Sequence, residues 1–127
     1  MDRSTWKKWE RKVAEWFGGD KVNAKRIPVT GRNSGDVPDV ETIKFAIEVK
    51  AGKVVSSRTL KAVEQAKKAG ATTRKIPVVV QVHKLNNSKA IPLVTLDLAT
   101  FLKITEPIRI EEKRIKLSLD NSKGLSI

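Results

Sequence analysis

The chain contains no cysteine and only one histidine, His83. The first absence rules out disulfides and thiolate metal sites, and the second argues against imidazole-held zinc and against a Ser-His triad. Any metal bound here is held by oxygen. Long apolar runs are also missing: no stretch approaches the roughly 20 residues that span a bilayer, and the opening MDRSTWKKWERK lacks the apolar segment of a secretory signal. An intracellular protein with no membrane role is expected. Acidic side chains are scarce as well, 14 against 26 Lys and Arg, for a net charge of +12. Such a balance favours a polyanionic partner, with nucleic acid the first expectation.

What is present reads as a globular α/β chain. The 127 residues, 39% hydrophobic and 31% charged, fit one domain with a real core. Trp6, Trp9, Val13 and Phe17 recur at spacings of three and four, which predicts an amphipathic helix from Ser4 to Phe17, ended by Gly18 and Gly19. Glu10 falls within or at the edge of its apolar arc, so it needs a reason that Glu15 does not. One reason is a boundary carboxylate paired with Lys7, Arg11 or a basic neighbour across the fold. AKRIPVTGRNSGD predicts a short strand, Arg26 to Thr30, irregular or at an edge because of Pro28, followed by a Gly/Asn/Ser loop. In FAIEVK the alternation is strict, with Phe45, Ile47 and Val49 on one face and Ala46, Glu48 and Lys50 on the other.

A second helix is expected from a Ser56–Ser57 cap to about Ala69, with Leu60, Val63 and Ala66 inward and Gly70 as the stop. IPVVVQV predicts a strand buried on both faces, and IPLVTLDLATFLKI a further strand and a short helix from Leu98 to Lys103. Beyond Glu106 the weak alternation predicts a strand, a swapped arm or a loose tail. His83 reads as a surface or satisfied histidine. The tryptophans read as core or a dimer face.

Asp36, Asp39, Glu48 and Lys50 lie within fifteen residues, and a turn over Glu41 to Lys44 would lay the two strands side by side. Paired carboxylates repel unless a cation lies between them, and Mg²⁺ accepts one or two carboxylates while keeping open positions for a phosphate oxygen and a water. Lys50 would project from the face of Glu48 toward charge building on a phosphoryl group. The other reading is a solvated strand face with an ordinary Glu–Lys pattern.

PDVETIKFAIEVK resembles the two-part signature of the PD-(D/E)xK nucleases, with Pro38–Asp39 as its first half and Glu48–Val49–Lys50 as its second. The helix carrying Glu10, the loop VTGRNSGD and the helix after the second half resemble the surroundings of that signature, most closely in archaeal-type Holliday junction resolvases and small phage nucleases. The likeness covers roughly residues 5 to 104. It implies a restriction-endonuclease-like core, a mixed central sheet flanked by helices on both faces, formed by residues 1–105 as one nuclease domain, with 106–127 as an extension. It further implies a Mg²⁺-dependent endonuclease, with Mn²⁺ as a substitute, acting as a homodimer on four-way or other branched DNA in a prokaryotic or phage-infected cell. By the same likeness, Asp39, Glu48 and the carbonyl of Val49 ligate the metal, Glu10 reaches it directly or through water, and Lys50 positions or activates the water. Arg32, Asn33 and Ser34 would contact DNA phosphate, Gln65 would face the site, and Lys53 and Arg58 would begin a basic surface continued by Lys61, Lys67, Lys68, Arg74 and Lys75. Where the family has one aspartate this loop has two, so Asp36 competes with Asp39 as the first ligand. A nuclease acting on ordinary duplex, or a non-catalytic basic DNA-binding protein on the same scaffold, are the alternatives.

Overall fold

The computed structural model describes residues 3–28 and 37–125. Arg32, Asn33, Ser34 and Asp36, to which the sequence assigned roles, lie outside the described residues. The chain forms α/β structure in two compact units, one comprising the residues up to Gly52 together with those from Thr105 onward, the other Lys53–Ile104. Among the described residues no helix is long and apolar enough to cross a membrane.

In the first unit, helix α1 (Arg3–Trp16) lays its apolar stripe onto a three-stranded antiparallel meander, β1 (Lys25–Arg26), β2 (Val40–Glu41) and β3 (Ala46–Ile47). Trp9, Val13 and Ala14 pack with Ala24, Val40, Ile47 and Val49. Phe17 is buried and meets Phe45 edge-on, with ring centroids 5.5 Å apart. The helix ends where expected: Gly18 has φ of 128°, and a Cβ there would stand 2.9 Å from a Val22 methyl, so only glycine fits. A single 3₁₀ turn (Gly19–Val22) follows and leads into β1 at the sheet edge; the strand expected from Arg26 to Thr30 is only Lys25–Arg26, Pro28 stands beyond it, and Val29 and Thr30 lie outside the described residues. β2 and β3 share only two bridge pairs, Val40 with Ile47 and Glu41 with Ala46.

The C-terminal segment is neither strand nor loose tail. It forms a 20-residue helix, α4 (Glu106–Leu125), packed against the 3₁₀ turn. Pro107 sits at the helix start, where its missing N–H costs nothing, and Thr105 closes the first turn by accepting the Ile108 N–H at 3.0 Å. Ion pairs at helical spacing, Glu111 with Arg114 and Lys116 with Asp120, form along it. The strand pattern misled because the inward face, Arg109, Glu112, Ile115 and Lys116, is mostly polar.

The second unit packs α2 (Ser57–Thr73) on a two-stranded antiparallel hairpin, β4 (Val79–Lys84) and β5 (Ala90–Thr95), followed by α3 (Leu98–Ile104). Among the described residues every strand pairing is antiparallel, whereas the sequence predicted one mixed sheet. Ser56 caps α2 as expected, its Oγ accepting the Thr59 N–H at 3.1 Å. Gly70 does not stop the helix. The stop is Arg74, in a left-handed conformation with φ of 58°. Gly70 instead admits the returning chain, since a Cβ there would lie 2.6 Å from the Lys75 carbonyl oxygen. β4 is not buried on both faces: with β5 as its sheet neighbour, it turns Val79 and Gln81 inward and leaves Val80 and Val82 60% and 58% exposed. Leu60, expected inward, is also exposed, because Thr59 takes the inward position and accepts a hydrogen bond from Gln81 Nε2 at 2.7 Å.

Candidate active site

Residues Asp39 and Glu48 to Lys50 come together at the open end of the β2–β3 hairpin. Asp39 is buried at the entry to β2 and is held from two sides. Its carbonyl accepts the Ile27 N–H at 2.8 Å, and its Oδ2 accepts the Val49 N–H at 2.9 Å. The bridge register, continued one residue outward, sets Asp39 opposite Glu48. Burial follows the alternation read from FAIEVK, with Val49 buried between the exposed Glu48 and Lys50.

Helix α1 supplies the next layer. Trp6 and Glu10 are four residues apart and so lie one above the other on one face. Lys50 Nζ stands 5.8 Å from the centroid of the Trp6 ring, within range of a cation–π contact. Glu10, 3% exposed, lies with Oε1 3.7 Å from Arg26 Nη2 of β1. Arg26 is thus the basic neighbour across the fold, and it supplies the reason for a carboxylate in an apolar stripe.

The base of the hairpin is held by α4. Glu112, fully buried, accepts hydrogen bonds through Oε2 from the Thr42 hydroxyl and, at 2.9 Å, from the Lys44 N–H. Neither Trp6 nor Arg26 nor Glu112 was assigned to the site from sequence.

Lys53, Arg58 and Gln65 belong to the second unit and are all exposed. So are Lys61, Lys67, Lys68, Arg74 and Lys75. His83 is exposed on β4, as expected, whereas Trp9 packs on the core and Trp16 is 47% exposed.

Among the described residues no three acidic or histidine side chains converge as a metal-binding group. The donor set suits a hard cation in kind, since Asp39, Glu48 and the Val49 carbonyl offer oxygen alone. Asp39 Oδ2 accepts the Val49 N–H, which fixes the carboxylate beside the Val49 backbone. Glu10 faces the cation of Arg26 beside this donor set.

Comparison with family models, with curated proteins and with solved structures returns no match to this chain.

Proposed function

We propose that this protein is a metal-dependent endodeoxyribonuclease with a PD-(D/E)xK site on a restriction-endonuclease-like core, acting inside the cell as a homodimeric Holliday junction resolvase. The observation that carries this reading is the hydrogen bond from the Val49 N–H to Asp39 Oδ2, which ties the two halves of the motif together across ten residues of chain. A solvated strand face would not need a buried aspartate clamped to the neighbouring strand.

In this reading Asp39, Glu48 and the Val49 carbonyl hold Mg²⁺, with Mn²⁺ as a substitute. The bound ion supplies positive charge at the scissile phosphate and lowers the pKa of a coordinated water. Lys50, restrained over Trp6, orients that water and meets negative charge on the phosphoryl oxygens. Glu10 and Arg26 brace the site from α1 and β1. The exposed cations of the second unit bind the DNA backbone. Four of them, Lys67, Arg74, Lys75 and Lys103, line a cleft of about 640 Å³ with no carboxylate in its wall. Resolution of a junction needs two symmetric nicks, which a C₂ pair of subunits provides.

One observation favours a second reading, a non-catalytic DNA-binding protein on this scaffold: the Glu10–Arg26 pair accounts for Glu10 structurally. A labelled four-way junction and a matched linear duplex, each incubated with Mg²⁺ and with EDTA, separate the readings. Paired nicks in the junction with Mg²⁺ alone are expected. Equal cutting of linear duplex moves the substrate to ordinary DNA, and binding without cutting leaves the non-catalytic reading.

A further inference from the structure

We infer that Glu112 of α4 is a positioning residue for the Asp39–Glu48 pair, so that the C-terminal helix is a working part of the site. The inference rests on the nuclease reading above. β2 and β3 are joined by only two bridge pairs, too few to resist slippage by themselves. Register in so short a hairpin is set by its turn, and a slip of one residue would remove Glu48 from its place opposite Asp39 and reverse the faces.

The Thr42 N–H closes the turn on the Phe45 carbonyl at 2.9 Å, and two side chains anchor it. Thr42 Oγ1 accepts the Phe45 N–H at 3.0 Å, and its own hydroxyl proton goes to Glu112 Oε2, which also takes the Lys44 N–H at 2.9 Å. Both side chains are buried, Thr42 at 8% exposure and Glu112 at 0%. Glu112 Oε1 is buried with no hydrogen-bond partner among the described residues. A buried carboxylate satisfied on one oxygen is costly. Stability therefore does not explain Glu112. Its hydrogen bonds to the turn do.

The test uses the full chain and four variants: Thr42→Ser, Thr42→Val, Glu112→Gln and Glu112→Leu. Thr42→Ser and Glu112→Gln keep the hydroxyl and the acceptor, whereas Thr42→Val and Glu112→Leu remove them. Without DNA, exchange of the Lys44 amide is read by NMR, and faster exchange is expected in Glu112→Leu but not in Glu112→Gln. With labelled junction DNA, Thr42→Val is expected to lower the single-turnover rate about tenfold or more, the scale of small misplacements, while DNA affinity stays within about twofold. Thr42→Ser should restore the rate. Unchanged cleavage by folded Thr42→Val and Glu112→Leu overturns the positioning role. If the unchanged protein cuts neither junction nor duplex, the nuclease reading falls and the catalytic role of Glu112 with it. The Lys44 exchange result would then show that only the turn anchor was correct.

Discussion

The first unit buries charge, and the second displays it. Glu10, Asp39, Thr42 and Glu112 are all buried beside Ala14, Phe17, Val22, Val40 and Val49. In the second unit the only buried residue is Gly70, and Val80, Val82, Leu93 and Val94 are exposed with the lysines and arginines. Under the proposed function the difference matches two kinds of task. A site that must hold carboxylates in a fixed geometry needs them packed and hydrogen-bonded, because a buried polar group without partners is expensive and one with partners is rigid. A surface that attracts phosphate needs only accessible cations.

The largest expected effect lies in the first unit. Asp39→Asn keeps an oxygen for the Val49 N–H, so the fold should survive while Mg²⁺ binding and cleavage are lost. Glu48→Gln should cut cleavage by at least about a hundredfold, the scale of losing a main transition-state contributor, with junction affinity kept or improved in the absence of metal. Calorimetry with Mg²⁺ and single-turnover cleavage check both. Asp36→Asn should reduce activity only modestly, and the reverse ranking would transfer the first ligand to Asp36.

Stability tests the same contrast without reference to function. Phe17→Ala should cost about 3 kcal/mol in chemical denaturation, the scale of emptying a packed aromatic position. Val80→Ala should stay within about 0.5 kcal/mol, as for a surface substitution. Similar costs at the two positions would mean that something covers the hairpin face in solution, a second copy included, and the contrast would break.

Binding should respond on the other side of the contrast. Replacing Lys67, Arg74 and Lys103 by glutamine, one at a time, should lower DNA affinity uniformly across sequences and reduce the slope of log affinity against log salt by about one for each lost phosphate contact. Substitutions that change the cleavage rate at constant affinity would place these residues nearer the chemistry than the comparison allows.

The smallest effect concerns Asp97. The Thr100 hydroxyl, donating to Asp97 Oδ1 at 2.5 Å, is the main cause holding its pKa below the usual 3.8, with partial burial opposing and Lys67 assisting. A carboxyl depressed in the folded state stabilises fully above its unfolded value and loses that contribution as pH falls through the folded one. Asp97→Asn should therefore flatten the stability of the protein below about pH 4, measured by denaturation across that range. An unchanged acid profile would show that Asp97 contributes nothing to it.

Much of the first unit was legible because its signals are local. The 3–4 spacing of Trp6, Trp9, Val13 and Phe17 marks α1, Gly18 and Gly19 end it, and the alternation from Phe45 to Lys50 predicts which of these side chains are buried. The second unit was legible in its elements but not in its burial. Val78 to Val82 read as a central strand from composition, yet burial depends on how many neighbours a strand has, and a run of valines cannot state that. α4 was misread for a related reason: its inward face is polar, and periodicity detects only apolar faces.

By itself the sequence determined the three helices before Thr105, the strands of the two hairpins, the excess of cations, and the adjacency of Asp39 and Glu48 along a hairpin. These follow from side-chain period, turn residues and charge count, which act over a few residues or over the whole composition. Only the tertiary structure decided that Arg26 meets Glu10, that Trp6 lies under Lys50, and that Glu112 reaches the turn at Thr42 across 70 residues of chain. Such pairings depend on which faces pack together, and that choice is made by the burial of the whole unit rather than by any one segment.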